Sequence, residues 1–260
     1  MLRYSFVSVY RGYIVRQKEA MSGIYLLPNL LTTASLFSAF YSIVASLKAQ
    51  YDVAVIAIFV GMIADMLDGR IARMTNTQTA FGAEYDSLSD MVTFGVAPAL
   101  LLYSWSLHQF GKLGWLVSFI YTAAVALRLA RFNTQLETAD KRYFQGLPCP
   151  PAAAVVSSLI WVCEQEGNVS GFVSILAGIT AILCAILMVS NVRYYSFKDF
   201  DLRGKVPFLY VLVIVIAFVA IAADPSLVLF IGSAIFALSG PTQTLYALQR
   251  MRKKRKKLKD

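Results

Sequence analysis

GMIADMLDGRIARMTNTQTAFGAEYDSLSDMVTFG, residues 61–95, is the stretch on which the reading of this chain turns. It mixes apolar, membrane-grade residues with four aspartates at short intervals. Asp65 and Asp68 are three apart, Asp86 and Asp90 four apart, so each pair falls on one face of a helix. Between the pairs lies TNTQT, a short polar turn. The stretch therefore predicts a helical hairpin with two acidic faces turned toward each other. Carboxylates in such surroundings are expensive to keep and are read by default as functional.

The rest of the chain decides what those surroundings are. Of 260 residues, 58% are hydrophobic and 15% charged, and the mean hydropathy is +0.61. A soluble domain has about 45–50% apolar and about 25% charged residues. Apolar runs of roughly 20 residues recur from residue 28 onward, the length that crosses a bilayer. The fold class is all-α: a polytopic membrane bundle of about eight spans, with an interfacial amphipathic helix over 1–20. The spans are expected near 28–47, 53–74, 80–107, 114–131, from GLPCPPAAA to about Cys163, 171–190, 206–222 and 226–247. The membrane domain, 1–248, is single, and a basic tail occupies 249–260.

The net charge of +9 does not mark a nucleic-acid binder. On the eight-span topology, all of the 24 Lys and Arg residues except Lys48 and Lys112 fall on the side of the termini. That asymmetry predicts a cytoplasmic placement of both termini, in the cell (inner) membrane. The tail, RMRKKRKKLKD, suits anionic headgroups of membrane lipids. Cys149, Cys163 and Cys184 are far apart, and His108 is alone, so no thiol or imidazole metal site is expected.

On this topology Asp65 to Arg73 end one helix and Gly82 to Asp90 begin the next. Four converging carboxylates cannot all ionise in a low dielectric without compensation. One or two divalent cations would supply it, and hard oxygen ligands suit Mg²⁺, Mn²⁺ or Ca²⁺. Such a centre neutralises a diphosphate. Arg73 can bind a phosphate oxygen or hold a carboxylate. Gly69 and Gly82 let a ligand or backbone approach. Asn29 and Thr32, in the first turn of the first span, either cap that helix or face a headgroup. A divalent-cation transporter is the competing class. The apolar spans hold no second aspartate cluster, and Arg73 would repel an ion in transit.

Asp65-x2-Asp68-Gly69-x2-Ala72-Arg73-x8-Gly82-x3-Asp86-x3-Asp90 resembles, at all eight fixed positions, the signature of the CDP-alcohol phosphatidyltransferases. The resemblance implies a homodimeric membrane enzyme that moves a phosphatidyl group from a CDP-lipid to an alcohol and releases CMP. It implies that Asp65, Asp68 and Asp86 ligate metal. It makes Asp90 the base that deprotonates the acceptor and a further metal contact. Gly69, Arg73 and Gly82, with Asp65 and Asp68, would line the CDP-lipid pocket, which Asn29 and Thr32 border.

Three further stretches, MVTFGVAPA after Asp90, LRLARFN at 127–133 and FQGLPCPPAAA at 144–154, resemble the bacterial and archaeal serine-using branch of that superfamily. CDP-diacylglycerol and L-serine are the substrates this implies. Glycerol 3-phosphate, inositol or choline are the alternative acceptors. Serine needs a cation for its carboxylate and acceptors for its ammonium. Arg131, Asn133, Gln145 and Gly146 are the candidates, with Arg131 first for the carboxylate unless it anchors a helix end. Arg193 and Lys198 rank below them.

Overall fold

The structure is a computed structural model, and it describes residues 26–135, 143–167, 170–195 and 208–257. The interfacial helix expected over 1–20, Lys198 and the last three residues of the tail lie outside that set.

The first helix, α1 (Leu26–Leu47), buries a stripe of small residues: Thr32, Ser35, Ala39, Ser42 and Ser46. Small side chains let two backbones approach where lipid offers no hydrophobic drive. The stripe packs on α2 (Tyr51–Met74) through Ala54, Val55, Ile58 and Gly61. A Cβ on Gly61 would lie 3.1 Å from Thr93 Cγ2 and 3.4 Å from the Ser35 carbonyl. The opposite face of α1 exposes Leu30, Phe37 and Phe40, as a lipid-facing surface should.

The polar turn after α2 bends at Asn76, whose φ of 52° is the left-handed value that asparagine tolerates. Thr79 then caps α3 (Ala80–Asp90), its Oγ1 accepting from Gly82 N at 2.9 Å. At Met91 the helix widens into a π turn, Met91–Val96, and continues as α4 (Ala97–Trp105). Pro98 has no N–H to give the Phe94 carbonyl four residues back. The buried Tyr121 hydroxyl donates to that carbonyl at 3.1 Å. Tyr121 belongs to α5 (Lys112–Gln135), which follows a short 3₁₀ turn, Leu107–Phe110.

Next come β1 (Tyr143–Gln145), α6 (Cys149–Gln165), α7 (Gly171–Val189) and β2 (Arg193–Tyr195). The two short strands pair antiparallel, with Phe144 opposite Tyr194. The last helices are α8 (Phe208–Ala223) and α9 (Pro225–Lys257). Within α9, Pro241 again strips a donor, from the Ala237 carbonyl. Tyr194 Oη donates to Ala237 O at 2.9 Å, its ring lying against Gly240.

At the end of the bundle away from the aspartates, Trp105 Nε1 donates to Glu164 Oε2 at 2.8 Å. Ser226 Oγ reaches Gln165 Oε1 at 2.6 Å. α6 is the central helix, buried from Cys149 to Ile160 over most of its length.

The expected spans appear as helices, with the third broken by the π turn. Among the described residues, five stretches are long and apolar enough to cross a membrane: Leu26–Leu47, Ala80–Trp105, Lys112–Thr134, Gly171–Val189 and Pro225–Thr244. This is a multi-pass, mostly helical membrane protein. The other three helices fall short for separate reasons. α2 carries Asp65, Asp68, Arg70 and Arg73 in its last turns, α6 has 17 residues, and α8 has 16.

Candidate active site

The site is built at one end of the α2–α3 hairpin. Helical spacing turns Asp65 and Asp68 toward α3, and the capped start of α3 turns Asp86 and Asp90 back toward α2. One carboxylate oxygen from each of Asp65, Asp68 and Asp86 lies within 4.8 Å of the others. Asp90 completes the group, facing Asp65 closely enough for the two carboxyls to interact. Asp68 is only 4% exposed, although it sits near the end of α2.

Thr32 explains how Asp68 is held there. Its Oγ1 donates to Asp68 Oδ2 at 2.6 Å, a charge-assisted bond running from α1 to α2. One turn away, Ser89 Oγ donates to the Thr32 carbonyl, tying α3 to the same point of α1. Asn29 reaches the hairpin from the side: its Oδ1 would lie 3.3 Å from a Cβ on Gly82. Thr32 therefore borders the aspartate cluster, and Asn29 borders the first turn of α3 at Gly82. On the α2 side, the Arg73 guanidinium lies over Gly69, 3.3 Å from where a Cβ would be. Arg73 is exposed and acts electrostatically on Asp68 and Asp86.

Two buried oxygens test whether this cluster suits a cation. Asp86 Oδ1 and Asp90 Oδ1 are both sealed from solvent and have no hydrogen-bond partner. Buried acceptors are normally satisfied, and an unpartnered carboxylate oxygen costs more than a neutral one. An all-oxygen donor set with spare lone pairs pointing inward fits a hard divalent cation. Among the described residues, this is the one group of three or more such ligands with converging atoms.

The expected acceptor residues divide. Asn133 is next to the site: its Nδ2 donates to Ser87 Oγ at 3.0 Å, between Asp86 and Asp90 on α3. Arg131 is committed elsewhere. Its Nη1 donates to Val189 O at 2.9 Å, and its Nη2 donates to Gln145 O and Met188 O, each at 3.1 Å. These are the orphan carbonyls at the end of α7 and one carbonyl of β1. Of the two roles the sequence left open for Arg131, the structure displays the anchoring of a helix end. Gly146 serves the same joint. Its φ is +76°, and a Cβ there would stand 2.3 Å from Met188 O and 2.9 Å from Arg131 Nη2. Gln145 lends its carbonyl to Arg131, and Arg193 pairs with it across the hairpin.

The first residue of α6, Cys149, brings in a cation that sequence reasoning passed over. Arg128 Nη1 donates to Cys149 Sγ at 3.3 Å, and the residue is 8% exposed. The signal was an arginine inside an apolar span, quoted in LRLARFN but not weighed. Thr79 was also missed, although a threonine before AFG, three residues ahead of Gly82, is a recognisable helix cap.

A match to the CDP-alcohol phosphatidyltransferase family spans residues 25–238, and so covers every residue of this site. The chain belongs to that family. Among curated relatives, a protein of Helicobacter pylori strain 26695 named CDP-diacylglycerol–serine O-phosphatidyltransferase is 38% identical over 192 residues, 74% of this chain and 80% of its own. An archaetidylserine synthase of Methanothermobacter thermautotrophicus is 36% identical over 171 residues, 65% of this chain and 69% of its own. A Mycobacterium tuberculosis H37Rv protein with the same name as the Helicobacter one is 36% identical over 148 residues, 55% of this chain and 51% of its own. The eight-position aspartate signature of this family member is the hairpin just described.

Proposed function

We propose that this protein transfers the phosphatidyl group of CDP-diacylglycerol to the hydroxyl of L-serine, giving phosphatidylserine and CMP. The observation that carries this is the closing of the family's aspartate signature into one site, in a chain whose relatives are named for serine transfer.

Asp65, Asp68 and Asp86 would hold one or two Mg²⁺ or Mn²⁺ ions. When bound, such a centre neutralises the diphosphate and stabilises charge developing on the leaving CMP oxygen. The chain's own groups do the rest. Thr32 fixes the Asp68 carboxylate by its hydrogen bond. Arg73 offers a guanidinium to a phosphate oxygen beside Gly69, where the missing side chain leaves room for the nucleotide. Asp90 takes the proton from the serine hydroxyl. The serine oxygen then forms a bond to the phosphatidyl phosphorus, while the bond from that phosphorus to the bridging oxygen breaks and CMP departs with that oxygen. A free alcohol is a weak nucleophile at neutral pH, and a positioned base contributes typically about 10²–10⁴-fold.

The donor's acyl chains need bilayer and its head needs water, which suits a site at the membrane boundary. The enzyme would act as a homodimer in the cytoplasmic membrane, with its site and both termini facing the cytoplasm.

Purified full-length protein supplied with CDP-diacylglycerol and Mg²⁺ or Mn²⁺ should release CMP on addition of serine, and EDTA should stop it. Asp90→Asn should lower turnover by about 10²-fold or more while CDP-diacylglycerol still binds. Stimulation by glycerol 3-phosphate, inositol or choline equal to that by serine would overturn the acceptor assignment.

A further inference from the structure

Among the described residues, Arg128 is a charge without an ion-pair partner. It lies within α5, is 8% exposed, and its Nε is sealed with no hydrogen-bond partner. Among the described residues its hydrogen-bond partner is the Cys149 thiol, a weak acceptor. Holding a guanidinium inside a membrane bundle on such terms costs several kcal/mol on the general scale for buried ions. A buried cation left in that state has donors free for an anion.

Its level in the bundle follows from two contacts. A Cβ on Gly95 would lie 3.2 Å from Val125 Cγ1, and Asn133 Nδ2 donates to Ser87 Oγ. These pairs show α5 running antiparallel to α3 and its π turn. Counting between them sets Arg128 level with Val92, two residues past Asp90. Cys149, at the start of α6, lies in the electrostatic field of Arg128, Asp90 and Asp65 together. Arg73 instead acts on Asp68 and Asp86. The two arginines thus flank the aspartates on different sides. Arg73 stands with the cluster on the α2 side, and Arg128 stands on α5, at the level of the π turn that follows the carboxyl assigned as base.

We propose that Arg128 binds the carboxylate of the acceptor amino acid, and so sets the enzyme's preference for serine over alcohols lacking that group. The inference rests on the proposed function, since it assigns a role on the acceptor side of that same site. A serine whose carboxylate meets the guanidinium would direct its hydroxyl, two carbons away, toward Asp90. The turn Gly146–Pro148 and the end of α7, which Arg131 holds together, would position Cys149 and thereby support Arg128.

The test compares serine with ethanolamine, which is serine without its carboxylate, as acceptors for CMP release from CDP-diacylglycerol. In Arg128→Gln the KM for serine should rise about 10- to 100-fold, the scale of a charge-assisted hydrogen bond. The KM for CDP-diacylglycerol should stay within about 2-fold, since donor recognition is left with the other groups. The ratio of kcat/KM for serine to that for ethanolamine should collapse, and Arg128→Lys should restore part of it. On the wild-type enzyme, 3-hydroxypropionate, which keeps the carboxylate and lacks the amine, should compete with serine, and ethanolamine should compete far less. That comparison needs no variant to fold. A rise in the CDP-diacylglycerol KM, an equal loss with both acceptors, or competition by ethanolamine as strong as by 3-hydroxypropionate would overturn the proposal. A wild-type enzyme with no serine-dependent CMP release would instead overturn the functional reading beneath it.

Discussion

Thr32 holds the most buried carboxylate of the site by a single hydroxyl. Its bond to Asp68 Oδ2 crosses from one helix to another at 2.6 Å, so it fixes the carboxylate's orientation and the helix spacing together. Thr32→Val keeps the shape and deletes the donor. Partners that orient metal ligands are typically worth about 10- to 100-fold in metal affinity. The Mn²⁺ concentration giving half-maximal CMP release should therefore rise by about 10-fold or more, with little loss of maximal rate at saturating metal. An unchanged metal titration would mean that Asp68 is oriented by packing alone. The four aspartates were legible in the sequence because charge in an apolar chain is conspicuous and helical spacing is rigid. The two arginines of LRLARFN were not separable in the same way. Arg128 and Arg131 are three apart, nearly one turn, and a sequence assigns them to one face. What tells them apart is the end of α7, whose carbonyls at Met188 and Val189 engage Arg131, while Arg128 meets the Cys149 thiol.

Proline inside a helix leaves a carbonyl unpaired, and this fold answers it twice with a tyrosine from another element. Pro98 frees Phe94 O for Tyr121, and Pro241 frees Ala237 O for Tyr194. The second case fastens the β1–β2 hairpin to α9, and through the hairpin holds the turn ahead of α6. Tyr194→Phe should lower stability by about 1–3 kcal/mol, the cost of leaving a buried acceptor unsatisfied. Thermal unfolding in detergent would measure it. Pro241→Ala supplies an N–H that can reach Ala237 O from within the helix. In that background the same Tyr194→Phe change should cost less, and a fully additive double variant would sink the account.

These element-level features set the limit of what sequence reading reached. Pro28 in the first turn of α1 and Pro225 at the start of α9 are local signals, and the helices lie near their expected places. The π turn after Asp90 has no periodic signature in the sequence, and within it Gly95 lies against Val125 of a different helix. The hairpin was equally hidden. Its strands have three residues each, and they pair across a separation that spans two helices.

At the scale of the whole molecule, the eight-span reading has α2 cross the membrane, although α2 is too charged near its end to stand out as a span. The charge is concentrated in its last turns, from Asp65 to Arg73, where the helix meets α3 and Asp68 is buried within the bundle. Its first half, with Val53, Ile56 and Val60 exposed, has the surface of a lipid-facing helix. At about 1.5 Å per residue, α6 and α8 reach about 24–26 Å against a hydrocarbon core of about 30 Å. For α6 this shortfall is small in effect, since its neighbours enclose it and lipid need not match its length. Eight crossings would then put both termini on the side of the aspartates. The test is labelling of single cysteines, introduced into a protein cleared of Cys149, Cys163 and Cys184, by an impermeant maleimide in sealed vesicles. Lys48→Cys and Lys112→Cys should react from one face. Gln78→Cys, in the turn of the site hairpin, should react from the other, together with a cysteine placed in the basic tail. Gln78→Cys labelled from the same face as Lys48→Cys would mean that α2 does not cross. The site would then lose the membrane-boundary position that a substrate with lipid tails and a charged head demands.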